Sequence, residues 1–513
     1  MKDPIQVAIE SIDALADDDL RSEARQLLAN WMPEATDTQL SDLLEGYYQQ
    51  AVDTSVPARF QLRHLLGELA NWLRPPINGS FSREQLSQLD LLYRRLGDDW
   101  QTAQHVLLLL SLQHDDDALG ILVELLVDAP PPDSTAVALA LGPLIASPPT
   151  NLAVLYPRLL DALAHRSVAA PVLDMANYLT RKNLLDVHPA TDRIDQLETL
   201  LHGLNHHLEQ LEQLPEEMPE SLQQLDSQID DSVALAVALC DAMAQIGRDT
   251  SASVLRLTCQ LSHPRLRTEA AGALAQLGDE EGRRELLAMA SEPVARLRVI
   301  QYAEELGIAD QIDPALVTAA ARAESGLALW LAQPGNVGIP PSSTELLDQC
   351  SQYWPGLDEP VDCFLFQFCY QFGEGQYQNI GIAAPTTAAV HANLEHLSIE
   401  EIYALFAGRD VEHEEICQWE ISDLVDRYAV ERAGLRRLME ESDFSEIQPY
   451  LFMQFFGDSV LVALASREQH EGIVVADDVD CLWLPQQDKL RPLSADDALN
   501  IYKGKKLLGT FNA

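Results

Sequence analysis

The sequence predicts a mainly α protein: an α-solenoid followed by a smaller C-terminal α+β domain. Two observations carry that prediction. Gly247, Gly278 and Gly307 recur at spacings of 31 and 29 residues, each closing an amphipathic stretch rich in alanine and leucine. Overlaying the stretches sets Ser262-His263-Pro264 on Ser291-Glu292-Pro293, Arg267 on Arg296, and Leu277-Gly278 on Leu306-Gly307. Self-similarity at about 30 residues marks stacked helix pairs, each burying its apolar face only against its neighbours. The second observation is a change of hydrophobic period from 3.6 to 2, across the Pro/Gly-rich stretch that begins at Gln333.

Residues 1–80 read as an N-terminal helical segment, with helices over 5–15, 20–31, 38–48 and 56–73. Residues 81–332 read as the solenoid. Ser82 and Gln85 form a capping box at its first helix, and Pro130–Pro132 and Pro148-Pro149 break the helices that follow. The stretch 183–230 departs from the rhythm. Asp192–Gln213 reads as one long helix with Leu197, Leu200, Leu201, Leu204 and Leu208 on one stripe, and an acidic, glutamine-rich run follows Pro215. The clearest repeats occupy 231–323, where Leu274, Leu277, Leu286 and Leu287 should be buried between neighbouring pairs. Ser325–Leu331 then covers the last open edge.

Residues 333–349 read as a linker and 350–513 as the α+β domain, with strands expected only beyond about residue 360. Asp362–Phe372 and Gln376–Ala383 form a hairpin around Gly373-Glu374-Gly375. Ser398 and Glu401 cap a helix running to Ala407, and Ile421–Met439 reads as a second helix. Four short strands follow as a meander: Pro449–Phe456, Val460–Ser466, Gly472–Ala476 and Cys481–Leu484.

The segment His263–Asp279 resembles the HEAT-like repeat of the phycobilisome-lyase type. It carries a polar opener, a basic residue, the pair Ala270-Ala271 and the terminal Leu277-Gly278-Asp279. The likeness covers about 90 residues well, one repeat and its two neighbours. Farther towards the N-terminus only the periodicity persists, and Leu96-Gly97-Asp98 is the single similar stop. The tail Ile501–Asn512 resembles the ending of uncharacterised bacterial HEAT-repeat proteins. The resemblance implies a HEAT-like solenoid and, as an alternative activity, a lyase-like enzyme acting on a chromophore-bearing protein.

Charge restricts the partners. With 34 Lys+Arg against 80 Asp+Glu, the formal charge is -46, a field that repels phosphate backbones and disfavours nucleic acid. It favours a protein partner with a basic surface. No stretch reaches the roughly 20 apolar residues of a membrane span, and the start reaches acid too early for a signal peptide. A cytoplasmic location is expected, and the seven scattered cysteines read as buried thiols.

Candidate chemistry is sparse. His202 and His206, with His207 and Glu209 beside them, have the spacing of two imidazoles that share a metal, yet a solvated polar face accounts for them. His413 and Cys417 suggest a zincin-like or nucleophile pair, with His391 as another base, but the second histidine of a zincin is missing. Cys363 and Cys369 share the less buried side of a strand whose other side is aromatic. Gly373–Gly375 is no phosphate loop, and Asp477, Asp478 and Asp480 lack the glycine of a calcium loop. No catalytic, cofactor or metal residue is therefore assigned, and no cofactor is expected. Lys489, Arg491, Lys503, Lys505 and Lys506 form the one lysine-rich concentration, expected to dock on solenoid acids such as Glu280, Glu281, Glu285 and Glu304. Leu507, Leu508 and Phe511 should pack into the α+β domain. The expected function is a non-catalytic scaffold or adaptor that binds another protein through the solenoid surface, with a small-ligand or enzymatic site in 350–513 as a further alternative.

Overall fold

The computed structural model describes residues 3–13, 18–51, 56–75, 77, 79–97, 99–149, 152–212, 222–373, 375–424 and 427–512. The chain divides into two compact units, Met1–Leu286 and Leu287–Ala513. The division falls inside the block of clear repeats, so the helices after residue 287 group with the strands and not with the helices before them.

The first unit is helical: α1 (Pro4–Asp13), α2 (Asp18–Trp31), α3 (Asp37–Gln50), α4 (Val56–Leu73), α5 (Arg83–Leu96), α6 (Trp100–Gln113), α7 (Asp116–Asp128), α8 (Ser134–Ala146), α9 (Leu152–Leu159), α10 (Arg166–Arg181), α11 (Ile194–Glu212), α12 (Leu222–Ile246), α13 (Ala252–Thr258), α14 (Pro264–Gln276) and α15 (Glu280–Ala288), which reaches the boundary. The even-numbered helices α4 to α14 lie side by side in one layer, and α3, α5, α7 and α9 form a second. One apolar core runs from Ala8 to Leu274, so residues 1–80 share the core of the helices that follow. The Pro215–Pro219 interruption lies outside the described residues.

The repeated glycines have a shared physical cause. Gly247, Gly278 and Gly307 take φ of 73°, 81° and 69°, the left-handed region that closes helices. Behind Gly278, the Asp279 N–H donates to the Leu274 carbonyl at 3.0 Å and the Gly278 N–H to Ala275 at 3.0 Å. Ile308 and Gly307 repeat the pattern onto Ala303 and Glu304 at 2.8 and 3.2 Å. Both are Schellman closures. The same geometry corrects one expectation. Leu274 and Leu286 are buried, but Leu277 occupies the C-cap and is only half-buried, as is Leu287.

The second unit contains α16 (Pro293–Glu305) and α17 (Ala319–Leu331), then β1 (Ser343–Gln352), β2 (Val361–Phe372), β3 (Gly375–Ala383), β4 (Ala388–Ala389) and α18 (Ile399–Arg409). It continues with β5 (Ile416–Glu420), α19 (Ala429–Glu441), β6 (Ser445–Phe455), β7 (Asp458–Arg467), β8 (His470–Ala476), β9 (Cys481–Pro485) and α20 (Ala495–Phe511). Two antiparallel sheets result, ordered β1-β2-β3-β4 and β5-β6-β7-β8-β9.

The unit is layered. Leu327 and Leu331 of α17 cover Phe364, Phe366, Phe368 and Tyr370 on one face of the first sheet. Cys363, Leu365, Ile380 and Ile382 on its other face join α18, α20 and the near face of the second sheet in a common core. The far face of the second sheet is closed by Leu435 and Met439 of α19. Between α16 and α17, buried Arg296 (3% exposed) donates to the Ala290 carbonyl at 2.9 Å and ion-pairs with Glu324 at 2.5 Å.

Five expectations need correction here. Ser343–Gln352, most of it assigned to the linker, is a strand; among the described residues it pairs on one side only and is polar on both faces, so it shows no period-2 apolar signal. The helix expected over 421–439 is a short 3-10 turn at Ile421–Leu424 followed by α19. Cys363 is fully buried, because helices close both faces of its sheet. Of the lysine-rich concentration, Lys503, Lys505 and Lys506 lie on α20, and Lys489 and Arg491 precede it. Lys503 is buried, Lys505 pairs with Glu401 at 3.3 Å and Lys506 with Asp477 at 2.7 Å. Glu280, Glu285 and Glu304 are paired with Arg283, Arg267 and Arg322 instead. Leu507 and Leu508 pack as expected, but Phe511 is 59% exposed.

The second unit also repeats itself. Leu397-Ser398-Ile399-Glu400-Glu401 matches Leu493-Ser494-Ala495-Asp496-Asp497 at an offset of 96 residues, and Phe406, Gly408 and Arg409 match Tyr502, Gly504 and Lys505. Both serines close capping boxes, with Glu401 and with Asp497. The strands follow suit: β1-β2-β3-β4-α18 corresponds to β6-β7-β8-β9-α20. Cys363 and Leu365 of β2 stand where Val460 and Val462 stand in β7. The helices cross reciprocally. A Cβ on Gly408 would meet the Asn500 carbonyl oxygen at 1.9 Å, and one on Gly504 would meet that of Ala404 at 1.9 Å. Positions 404 and 500 correspond under the same offset, so the crossing has pseudo-two-fold symmetry.

Candidate functional site

The first unit carries a groove of about 660 Å³ on the even-numbered layer, lined by α4, α6 and α8. Its floor follows from helical spacing: Gln104, His105, Leu108 and Leu112 fall on one stripe of α6, and Leu139, Pro143 and Ala146 on one stripe of α8. Two local features of α8 open the space. Gly142 presents no side chain, and nothing lies within 4 Å of where a Cβ would stand. Pro143 lacks an N–H, so the Leu139 carbonyl loses its intrahelical donor.

The groove is mainly apolar, and Leu139 stands 58% exposed at its rim. Its polar groups are few. His114 ends α6 in the left-handed conformation at φ 56°, and its Nε2 is buried without a hydrogen-bond partner. Burial pushes the His105 and His114 imidazoles below the usual histidine range, so both are neutral at pH 7. An apolar trough with a neutral, unpartnered imidazole suits an apolar side chain flanked by one hydrogen-bonding group. The sequence reading missed this groove because its residues come from three helices, and only the Gly142-Pro143 break within a helical stretch signals it.

The residues weighed from the sequence lie elsewhere. His202 and His206 are exposed on α11, and His206 Nε2 lies 3.0 Å from Gln210 Nε2. His413 accepts the Glu415 N–H at 3.1 Å and its ring lies against Phe456, while the exposed Cys417 thiol lies 3.8 Å from the Glu414 carbonyl. Cys363 faces Cys350 across β1 and β2, and burial pushes the Cys363 thiol up to about 12, leaving it protonated. Cys369 reaches Gln378. Gly373 turns the β2–β3 hairpin, and Glu374 lies outside the described residues. Among the described residues, no three His, Cys, Asp or Glu side chains gather as a metal ion would need.

Asp477 has a structural task. Its carboxylate accepts from Lys506 Nζ at 2.7 Å, from the Tyr502 hydroxyl at 2.8 Å, and from the Val479 and Asp480 N–H groups at 2.9 and 2.8 Å. Burial pushes the carboxyl up, but Lys506, the two amides and Tyr502 together outweigh it and hold it at about 2. The stability it contributes is therefore present above the usual aspartate range and is lost as pH falls towards 2. Urea midpoints for Asp477→Asn should fall less steeply than wild type below pH 4; parallel curves would refute this linkage.

Compared with models of known protein families and with curated proteins, the sequence matches none. No helix of the described residues is long and apolar enough to cross a membrane.

Proposed function

We propose that the protein is a non-catalytic scaffold or adaptor whose HEAT-like helical unit binds another protein. The observation that carries this reading is the α4–α6–α8 groove. It is wide enough for a large side chain, apolar in its lining, and marked by the exposed Leu139 and the unpartnered His114. Stacked helix pairs present such grooves to extended or helical partners, and buried anchor side chains dominate binding of that kind. The charge of -46 favours a partner with a basic surface around the anchor, and a cytoplasmic setting fits the scattered free thiols. The lyase-like alternative rests on repeat resemblance alone, and fold does not fix activity.

Site-specific photocrosslinking tests the proposal. A benzophenone-bearing residue in place of Leu139 should trap one dominant protein in the native cell. Ala146→Arg, which fills the groove from an exposed position, should abolish the adduct. The same probe in place of Leu91, an exposed leucine on α5, should not form it. Identical adducts from positions 139 and 91, or no adduct at 139, would remove the groove as the binding site.

A further inference from the structure

The internal repeat of the second unit supplies its own reference state. In the second sheet the outer edge of β6 is covered by β5, whose residues Ile416, Gln418 and Glu420 pair with Phe455, Met453 and Leu451. In the first sheet the corresponding strand is β1, and among the described residues no strand pairs with its outer edge. The registers align the two strands residue by residue. Asp348, Cys350 and Gln352 oppose Leu365, Cys363 and Val361 of β2, as Leu451, Met453 and Phe455 oppose Val462, Val460 and Asp458 of β7.

The exchange of side chains at those positions is systematic. Three apolar residues that pack under β5 are replaced by a carboxylate, a thiol and an amide. With no covering strand, they line a cleft of about 490 Å³ between β1 and helices α18 and α20, together with Glu400, Tyr403 and Lys505. Cys350 also lines a cavity of about 560 Å³ beside α17.

We propose that this edge binds an extended, basic peptide segment of a partner protein, which adds a fifth strand to the first sheet as β5 does to the second. Length supports the assignment. A bulge at Leu346–Asp348 interrupts the first half of β1, a device that protects edges, and leaves regular pairing from Asp348 to Gln352. Those five positions match the five of β5. Charge sets the chemistry of the incoming side chains. Residues placed opposite Asp348 and Cys350 project into the cleft, where Asp348 and Glu400 face one cation, Lys505, already paired with Glu401 at 3.3 Å. A lysine or arginine there meets the surplus carboxylates. A second copy of β1 paired in parallel and in register would instead set Glu345 and Asp348 against their own kind. This site is independent of the helical groove.

Random dodecapeptides displayed on phage and panned on the full chain provide the probe. The expected result is enrichment of lysine or arginine flanked by β-branched residues. A synthetic copy of an enriched peptide should slow amide exchange across 348–352. It should lose binding when alternate backbone amides are methylated, and weaken at least tenfold on Asp348→Asn/Glu400→Gln. Asparagine keeps an acceptor for the Tyr403 hydroxyl, which donates to Asp348 at 3.0 Å. Should that variant fail to fold, Glu400→Lys on the exposed surface should by itself give the tenfold loss. Absence of enrichment, binding indifferent to methylation or to these variants, or binding lost instead on Ala146→Arg would overturn the proposal. So would a concentration-dependent dimer whose contact protects β1, which would assign the edge to a second copy.

Discussion

Gly504→Ala is expected to destabilise the second unit by about 3 kcal/mol, the upper end of the usual range for overpacking. The new methyl would stand 1.9 Å from the Ala404 carbonyl oxygen and 2.5 Å from its carbonyl carbon. Both are backbone atoms of α18, so no rotamer change relieves the contact and the helices must separate. That separation loosens Phe406, Leu499 and Ile501, all buried in the core between the two sheets. Gly408→Ala should cost a similar amount, because its Cβ would meet the Asn500 carbonyl oxygen at the same 1.9 Å. The double variant should cost less than the sum, since one opening of the crossing accommodates both methyls. Gly509→Ala, on the same α20 but with nothing within 4 Å, supplies the control and should gain roughly 0.5–1 kcal/mol from helix propensity. Urea unfolding followed by hydrogen exchange in β7 and β8 reads all four. Equal midpoints for the Gly504 and Gly509 variants would sink the close-crossing account.

The helical half was legible because its signals are local. Leu-Gly closures, the capping box at Ser82, and the leucine stripe of Leu197 to Leu208 each depend on residues within a turn or two of one another. The hairpin over Asp362–Phe372 and the meander after Pro449 were legible for the same reason. What escaped was whatever depends on a distant partner. The strand β1 has Glu345, Asp348 and Gln349 where a buried strand would carry aliphatics, because only one of its edges is satisfied. The pairing of Lys506 with Asp477 needs a reversal of chain between β8 and α20 that charge counting does not show. The duplication was present in the sequence all along, in Leu397-Ser398 against Leu493-Ser494 and Gly408 against Gly504. The 30-residue period of the helices does not expose it, because its two copies stand 96 residues apart. The candidate sites were the least legible part, since each joins three elements that are far apart along the chain.

A second large effect is expected from acid. His188 lies between α10 and α11 in the helical unit and is 2% exposed. Its Nδ1 accepts the Ala190 N–H at 3.2 Å, which leaves the ring proton on Nε2 to be donated to Asn177 Oδ1 at 3.0 Å. Asn177 in turn donates to the Ala238 carbonyl of α12 at 3.0 Å. Both ring nitrogens are thus used by the neutral form, and a second proton would displace the Ala190 donor. Burial lowers the imidazole to about 4, with Asp241 pulling weakly the other way. The unfolded chain holds this histidine near 6.5, so it binds the proton first as pH falls. The stability gained by keeping His188 neutral is therefore complete above pH 6.5 and drains away between 6.5 and about 4, a span of roughly 3 kcal/mol. His188→Gln removes the titrating group, so its stability should fall less steeply than wild type across that window and run parallel to it above pH 7. Native-state hydrogen exchange in α10 and α12, measured from pH 7.5 to 4, reports the slope for this unit alone. The ring resonances of His188 in the folded protein should titrate near 4. A midpoint close to 6.5, or identical pH slopes for wild type and variant, would show that the imidazole is not held neutral by its burial.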